Sequence, residues 1–540
     1  MTPPHRDRVP TRRIFLRRTA RTALPLLTLL FLTALACTRS LPAAEDLALR
    51  ITQLGPTAVA AATQGTPLAQ IVASPTPFPT RSVLGSPTPN PTRTDFDANR
   101  PVTHLVQPGD TLGQIADAYG VTLESLLQAN GLTLTSIISV GQELVIPQLQ
   151  LALGPDTKLI PDAELVYGPT TVGFDIPATI NRYGGYLARY TETDSLGITR
   201  TGAQIVTEIV QQYSVNPRLI LALIEYRSTW LANPTPDAST LTYPLGYVAP
   251  GYEGLYRQLR WAANQLNAGF YGWRAANMPP TLNTPPLTTL GLADGSRLVI
   301  APTLNPGTVG VQNVFARSSD LNTFQFHLSP NGFPLTYATL FGNPFQYNYE
   351  PLIPPDLTQP PLQWPWNTTA LWYFTGGPHG GWDSGSPRSA LDFAPPSDIE
   401  GCYDSPEWVR AAAAGRIVRS DNGAVLQDLD DDGYEQTGWV LFYMHIATND
   451  RVAVGADLSP GDNIGHPSCE GGFSNGTHLH FARKFNGVWL AVNDPFVPFN
   501  IDGWTLLPSD REYDGWLVNG NRAIEACDCR SSINAMQVTP

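Results

Sequence analysis

The sequence predicts a multidomain α+β protein: a small βααβ module, then a helical middle domain, then an antiparallel β domain at the C-terminus. Three observations point there. At 540 residues the chain is too long for one hydrophobic core. Its 51 Pro are nearly double a usual share of about 5%, and they gather in stretches that cannot bury a core. Apolar periodicity also changes along the chain. It is helical around residues 112–129 and 203–268, and beyond residue 414 it becomes short β-like runs between Gly and Asp turns.

Residues 1–37 read as an export signal with a lipidation site. Seven Arg and one Asp in residues 1–22 precede an apolar run from Ala23 to Ala36. That run is too short to span a bilayer permanently. Thr11-Arg12-Arg13-Ile14-Phe15-Leu16-Arg17 resembles the twin-arginine export signal; an ordinary Arg-rich region for the general pathway is the alternative. Ala34-Leu35-Ala36-Cys37 resembles a bacterial lipobox, with Ala where Leu is usual. The resemblance implies a lipid anchor on Cys37, holding the protein at the outer face of the plasma membrane or in the cell wall. A small-residue cleavage site nearby is the alternative. Without its +6 leader the chain carries −19, against −13 for the whole. Such an acidic protein is unsuited to binding nucleic acid or anionic wall polymers by bulk charge.

Residues 38–101 form a Pro/Thr-rich linker, with Ser74-Pro75-Thr76-Pro77 and Ser86-Pro87-Thr88-Pro89 typical of a semi-rigid spacer. In residues 102–148 a short strand and turn, Val106 to Leu112, lead into helical spacing at Leu112, Ile115, Ala116 and Tyr119. A second helix from Leu123 ends at Asn130-Gly131, and Gly141 to Pro147 returns as a strand. This order resembles the LysM module. The resemblance implies binding to N-acetylglucosamine-containing glycan, beside the loop Gly109-Asp110-Thr111-Leu112 and the loop near Ile137-Ile138.

Residues 149–195 read as a connector and 196–345 as a helical domain. Ala203 to Tyr213, Pro217 to Trp230 and Tyr252 to Ala268 have helical periodicity, and Asn216-Pro217 marks a helix start. Val215 to Glu225 resembles the first helices of lysozyme-like transglycosylases. That family places its acid directly before a Ser, whereas here Arg227 precedes Ser228 and Glu225 stands two positions early. Two residues turn a helical side chain by about 200°, so the domain is expected to be non-catalytic. A second Pro-rich linker spans 346–366.

The densest chemistry lies in residues 367–508. His-Leu-His at 478–480 puts two imidazoles on one face of a strand. Upstream stand Gly376-Gly377-Pro378-His379, Leu391-Asp392-Phe393-Ala394-Pro395 and Phe442-Tyr443-Met444-His445; four of the eight His fall in these runs. Their order resembles the lysostaphin-type family of peptidoglycan zinc endopeptidases. The resemblance implies Zn²⁺ held by His379, Asp392 and His480, with the fourth position open. It assigns His445 and His478 to acid–base work. Asp383 rivals Asp392, because His379-x-x-x-Asp383 matches the family's compact spacing; the apolar strand around Asp392 favours the latter. Asp428-Leu429-Asp430-Asp431-Asp432-Gly433 alternates like a calcium loop, but Trp439 stands where the bidentate Glu belongs, so an acidic hairpin is expected. Residues 509–540 read as a tail.

Apart from Cys37 there are four Cys, allowing three pairings. Cys402 and Cys469 both lie in the peptidase-like region, which favours that bridge; Cys527 and Cys529 are either a strained pair or free or metal-binding thiols. The expected function is an exported zinc metalloendopeptidase cutting peptide stems or cross-bridges of peptidoglycan, concentrated on its substrate by LysM. The alternative is a non-catalytic wall-binding or hydrolase-activating protein on a peptidase fold.

Overall fold

The computed structural model describes residues 102–107, 110–119, 121–147, 151–278 and 284–536, all within one compact unit. The export segment, Cys37, the 38–101 linker and Gly109 lie outside the described residues. Among the described residues no helix is long and apolar enough to cross a membrane.

Strand β1 (Val102–Leu105) pairs antiparallel with β2 (Glu143–Ile146), and between them lie helices α1 (Leu112–Tyr119) and α2 (Leu123–Asn130). Thr122 caps α2 through its side chain, and Gly131 ends it in the left-handed conformation. A separate small core of Val106, Ile115, Ala116, Leu126, Leu144 and Ile146 holds this module together.

In the middle region α3 (Ile176–Tyr183) precedes a hairpin, β3 (Thr191–Thr193) and β4 (Thr199–Thr201). Six further helices follow: α4 (Gly202–Tyr213), α5 (Pro217–Ser228), α6 (Leu255–Ala276), α7 (Pro306–Ala316), α8 (Leu321–Leu328) and α9 (Phe333–Phe341). A capping box of Thr201 and Gln204 starts α4. Asn216 caps α5 with Pro217 in its first turn. Residues expected as a connector contribute to the same core: Leu159, Ile160, Leu165, Val166 and Leu187 are buried with α4–α7.

The C-terminal region is built on a nine-stranded sheet. Its strands are β5 (Trp372–Gly380), β6 (Arg388–Ala394), β7 (Gly415–Asp421), β8 (Ala424–Asp428), β9 (Trp439–Met444), β10 (Asp457–Leu458), β11 (Leu479–Phe485), β12 (Val488–Trp489) and β16 (Ala535–Met536). The last follows a small sheet of β13 (Thr505–Pro508), β14 (Gly515–Asn519) and β15 (Arg522–Glu525). Spatial order is β10-β7-β8-β9-β11-β6-β5-β16, with β12 beside β11, and every pairing is antiparallel.

Successive side chains on these strands point to opposite faces. Leu391, Phe393, Leu441, Tyr443, Leu479 and Phe481 pack into the domain's own core. Ala390, Phe442, Met444 and Ala482 instead join the core of the helical region. Both faces of the central strands are therefore buried, which accounts for their nearly continuous apolar character.

Two further expected boundaries differ in the structure. The Pro-rich segment 346–366 is a strap pinned by its apolar residues, with residues 348–351 and 355–356 exposed between the anchors. Leu352 joins the helical core, and Leu362, Trp364 and Trp366 join the core of the C-terminal region. The supposed tail carries three strands of its own and returns β16 to the edge of the main sheet beside β5.

Candidate metal centre

His480 on β11 stands opposite Asp392 on β6, and Asp392 stands opposite Gly376 on β5. A side chain at Gly376 would approach Asp392 Oδ2 to 2.7 Å, so the glycine leaves room for the carboxylate. Irregular pairing of β5 between Gly376 and Gly380 brings His379 over the same row. His379 Nε2, His480 Nδ1 and Asp392 Oδ1 form a triangle with edges of 3.0, 3.2 and 3.2 Å. Donors about 2.0–2.1 Å from a tetrahedral zinc lie about 3.3 Å apart, so this donor set fits such an ion closely.

The ring tautomers support the same fit. A backbone carbonyl only accepts, so the ring nitrogen facing it carries the hydrogen. His379 Nδ1 donates to Gly377 O at 2.8 Å, and His480 Nε2 donates to Gly381 O at 3.1 Å. In the neutral rings this leaves lone pairs on His379 Nε2 and His480 Nδ1, aimed at each other and at a carboxylate oxygen. Such a convergence is repulsive without a cation between them, and it is the orientation that partners of ligating His impose. Burial opposes protonation of His379, but the Asp392 carboxylate outweighs it and leaves the ring's pKa raised. Burial also opposes ionisation of Asp392, yet the neighbouring His379 and His478 hold it well below the usual carboxylate range.

His445 and His478 stand beside this triangle. Their ring centroids are 4.5 Å apart, and His478 Nε2 lies 3.6 Å from Asp392 Oδ1. His445 Nδ1 donates to Glu470 O at 3.0 Å and His478 Nδ1 to Gly476 O at 2.8 Å. Each ring therefore keeps Nε2 for other work. Burial, then the nearby His478, pushes the His445 pKa down to about 3. The ring is therefore neutral, with the Nε2 lone pair free to accept a hydrogen bond.

The cluster opens into a groove of about 1670 Å³. Its loops around residues 397–401 and 470–478 are tied by the Cys402–Cys469 disulfide, with Cα atoms 5.6 Å apart. Cys527 and Cys529 are also joined. Tyr513 borders the groove and stacks on His379 at 4.2 Å and 17°. Its carbonyl accepts from Gly377 N at 2.7 Å, and its amide donates to Pro378 O at 3.2 Å. Sequence reasoning missed Tyr513, because no local motif marks it and it falls in the segment read as a tail.

The other expected residues lie apart from the cluster. Asp383 accepts from Tyr213 Oη at 2.7 Å and from Arg260 at 3.3 Å, both from the helical region. Glu225 is buried and accepts from the amides of Leu231 and Ala232, both at 3.0 Å. It holds the turn after α5. Asp428, Asp430 and Asp432 converge, with Asp428 accepting from the amides of Asp430 and Gly433 inside its own hairpin. In the βααβ module Asp110 accepts from Gln107 N at 2.7 Å and contacts His104 Nε2 at 2.8 Å. These bonds, the Gln107 one foremost, hold its carboxyl below the usual range. Thr111 is exposed and Leu112 half-buried.

A family model described as "LysM domain" matches residues 104–147, and one described as "LasA, N-terminal domain" matches residues 158–356. Protease LasA of Pseudomonas aeruginosa is 25% identical over 380 residues, covering 67% of this chain and 80% of that one. Beta-lytic metalloendopeptidase of Achromobacter lyticus is 29% identical over 161 residues, covering 28% and 40%. A solved structure, the M23 metalloprotease Pseudoalterin from the deep sea, is 26% identical over 31% of this chain and 95% of its own, with a TM-score of 0.26. The chain carries a LysM domain and a LasA N-terminal domain, and it is homologous to Protease LasA and to the M23, or lysostaphin-type, metallopeptidases.

Proposed function

We propose that this protein is an exported zinc metalloendopeptidase that hydrolyses peptide stems or cross-bridges of peptidoglycan. In this reading His379, Asp392 and His480 hold the zinc, while His445 and His478 handle protons. The single observation that carries it is the donor triangle with edges of 3.0–3.2 Å whose two imidazole lone pairs converge on a carboxylate oxygen. When bound, zinc supplies Lewis acidity toward a peptide carbonyl and acidifies water.

The chain's own residues do the rest. His445 Nε2, neutral at working pH, accepts a proton from the attacking water. His478 in its doubly protonated form, with Nδ1 donating to Gly476 O, donates its Nε2 hydrogen toward the developing oxyanion. The protonated imidazole returns its proton to the leaving amine. Asp110, Thr111, Leu112 and Gly109 of the LysM module hold N-acetylglucosamine-containing glycan and raise the local concentration of peptide. A lipid on Cys37 tethers the chain to the outer face of the membrane.

The test is metal analysis of purified protein, followed by digestion of purified cell walls. One zinc per chain, falling wall turbidity and new amino termini among the products are expected. Protein that binds no zinc, or that leaves every wall peptide bond intact with zinc bound, overturns the reading.

A further inference from the structure

The two imidazoles assigned to proton handling stand just outside the strands. β9 ends at Met444, and His445 follows it with a φ of 66°. That left-handed conformation is costly for any residue with a Cβ, so His445 keeps it only where its surroundings fix it. His478 stands immediately before β11. Both sit where the ladder between β9 and β11 stops, its last pair being Met444 opposite His480.

A short segment, Pro467 to Glu470, runs between them. It makes isolated antiparallel bridges to both sides, Pro467 with Ile446 and Ser468 with His478. Ser468 is buried and grips the His445 carbonyl twice, its amide donating at 2.7 Å and its Oγ at 3.1 Å. The same Oγ accepts from Glu470 N at 3.0 Å. One residue turn further, the Glu470 carbonyl accepts from His445 Nδ1 at 3.0 Å. Gly423, in the turn between β7 and β8, backs that carbonyl, since a side chain there would strike Glu470 O at 2.4 Å.

The Glu470 side chain reaches past His445 to the chain that follows it. Its Oε1 accepts from Thr448 N at 2.8 Å and its Oε2 from Thr448 Oγ1 at 2.6 Å. Arg451, 3.6 Å from the same Oε2, donates to Ile446 O at 3.0 Å. Glu470 thus holds residues 445 and 448 at once, the first through its carbonyl and the second through its carboxylate. The converging donors of the metal centre are held elsewhere, by Gly377 O, Gly381 O and the pairing of β6 with β11.

The geometry points to Glu470 as a positioning residue: its carbonyl and carboxylate, locked by Ser468, hold His445 in the one tautomer and orientation that keep Nε2 free. This inference rests on the peptidase reading above, in which His445 takes the proton of the attacking water. A base must stand within hydrogen-bond reach of its proton, so loosening this clamp slows turnover and leaves the metal donors in place. Glu470 also borders the groove, where a carboxylate that met substrate would act by its charge. Gln separates the two roles. Its Oε1 accepts from Thr448 N and its amide donates to Thr448 Oγ1, but it carries no charge.

The test compares Glu470→Gln and Glu470→Ala in the full zinc-loaded chain by zinc content, hydrolysis of cross-linked stem peptides and the ¹⁵N spectrum of labelled histidine. Signals of His445 are assigned by their loss in His445→Gln. Both Glu470 variants are expected to keep one zinc. Wild type and Glu470→Gln should show His445 with Nδ1 protonated and Nε2 bare, at the same kcat. Glu470→Ala should show a mixture of tautomers and a kcat lower by about tenfold, part of what a whole acid–base group supplies. Ser468→Ala, which removes only the hydroxyl, should give a similar mixture. A wild-type tautomer in both alanine variants overturns the inference, as does an unchanged kcat in Glu470→Ala. Equal loss of kcat in Glu470→Gln and Glu470→Ala overturns it too and makes the carboxylate a substrate contact. Zinc lost from Glu470→Ala would mean that the residue supports the metal donors and not His445. A wild-type chain that holds zinc and the expected His445 tautomer yet cleaves no peptide defeats the peptidase reading and leaves the clamp standing.

Discussion

His379 and His480 each spend one ring nitrogen on a carbonyl and aim the other at Asp392, so each is expected to be needed for metal. His480→Ala and Asp392→Ala should lose stoichiometric zinc together with activity. His445→Ala and His478→Ala should keep zinc and lose about 10²–10⁴-fold in turnover, the usual cost of one acid–base group. Metal content and hydrolysis rates of the four purified variants decide this. Loss of zinc from His478→Ala with retention in His480→Ala would swap the two roles. Asp383→Ala should keep zinc, since its carboxylate is engaged by Tyr213 and Arg260. The five residues at this centre were legible because each sits in a short apolar run that fixes which face it occupies. Tyr513 was not, because a stacking partner delivered by a distant turn leaves no periodicity behind.

A buried cation on β11 gives a second prediction on the same scale. Lys484 has a fully buried ammonium 3.7 Å from Glu435, and Glu435 also has Arg419 at 3.1 Å. Burial, opposed by Glu435, pushes the Lys484 pKa down to about 8, against an ordinary 10.5. Between those values the folded chain binds fewer protons than the unfolded one, so stability rises with pH across that window. The penalty of the buried charge is fully present below pH 8 and gone above about 10.5. Lys484→Met keeps the Arg419–Glu435 pair and should stabilise the protein by about 1 kcal/mol or more at pH 7. Its advantage over wild type should vanish toward pH 10.5. Thermal melts of both proteins at pH 7, 9 and 10.5 check the sign; a destabilised variant at pH 7 would show that the ammonium is well compensated.

Among the elements, strands and helices were readable where periodicity was clean: α4, α5, β9 and β11 lie close to their expected positions. The strap was not, since Pro-rich composition reads as an extended spacer while the apolar anchors Trp364 and Trp366 only acquire meaning beside Trp372 and Phe393. The groove loops were legible through cysteines alone. Cys402 and Cys469 close a loop of 67 residues, which on chain-entropy grounds is worth roughly 4 kcal/mol. The bridge also stands where Thr477 N donates to Gly401 O at 3.0 Å and Tyr403 N donates to Thr477 Oγ1 at 2.8 Å, one residue before His478. The proposed metal ligands sit on β5, β6 and β11, not on these loops. Cys402→Ser/Cys469→Ser should therefore melt earlier and turn over more slowly, while still binding one zinc. Zinc loss in that variant would mean that the loops, and not the strands, fix the ligand geometry.

At the scale of the whole molecule, the sequence divides the described chain into three regions, and the structure joins the second and third through a shared core while the first keeps its own. The helical region was expected to stand apart from the peptidase because each has its own period. What periodicity hides is that β6, β9 and β11 are buried on both faces, and the second face needs a cover that the helical region supplies. A shared core of this kind should unfold as one cooperative unit. Calorimetry of the zinc-loaded full chain should then show one large transition for residues 151–536 and a small one for the LysM module, whose core is its own. In the proposed reading zinc binds only the folded C-terminal region. At a thousand times its dissociation constant it should add about 4 kcal/mol to the large transition and nothing to the small one. Because the core is shared, the helical region should gain the same protection although it holds no ligand, so amide exchange in α4 and α6 should slow along with exchange in β11. If zinc slows exchange in β11 and leaves α4 and α6 unchanged, the two regions open independently and the seam across Phe442, Met444 and Trp489 does not couple them.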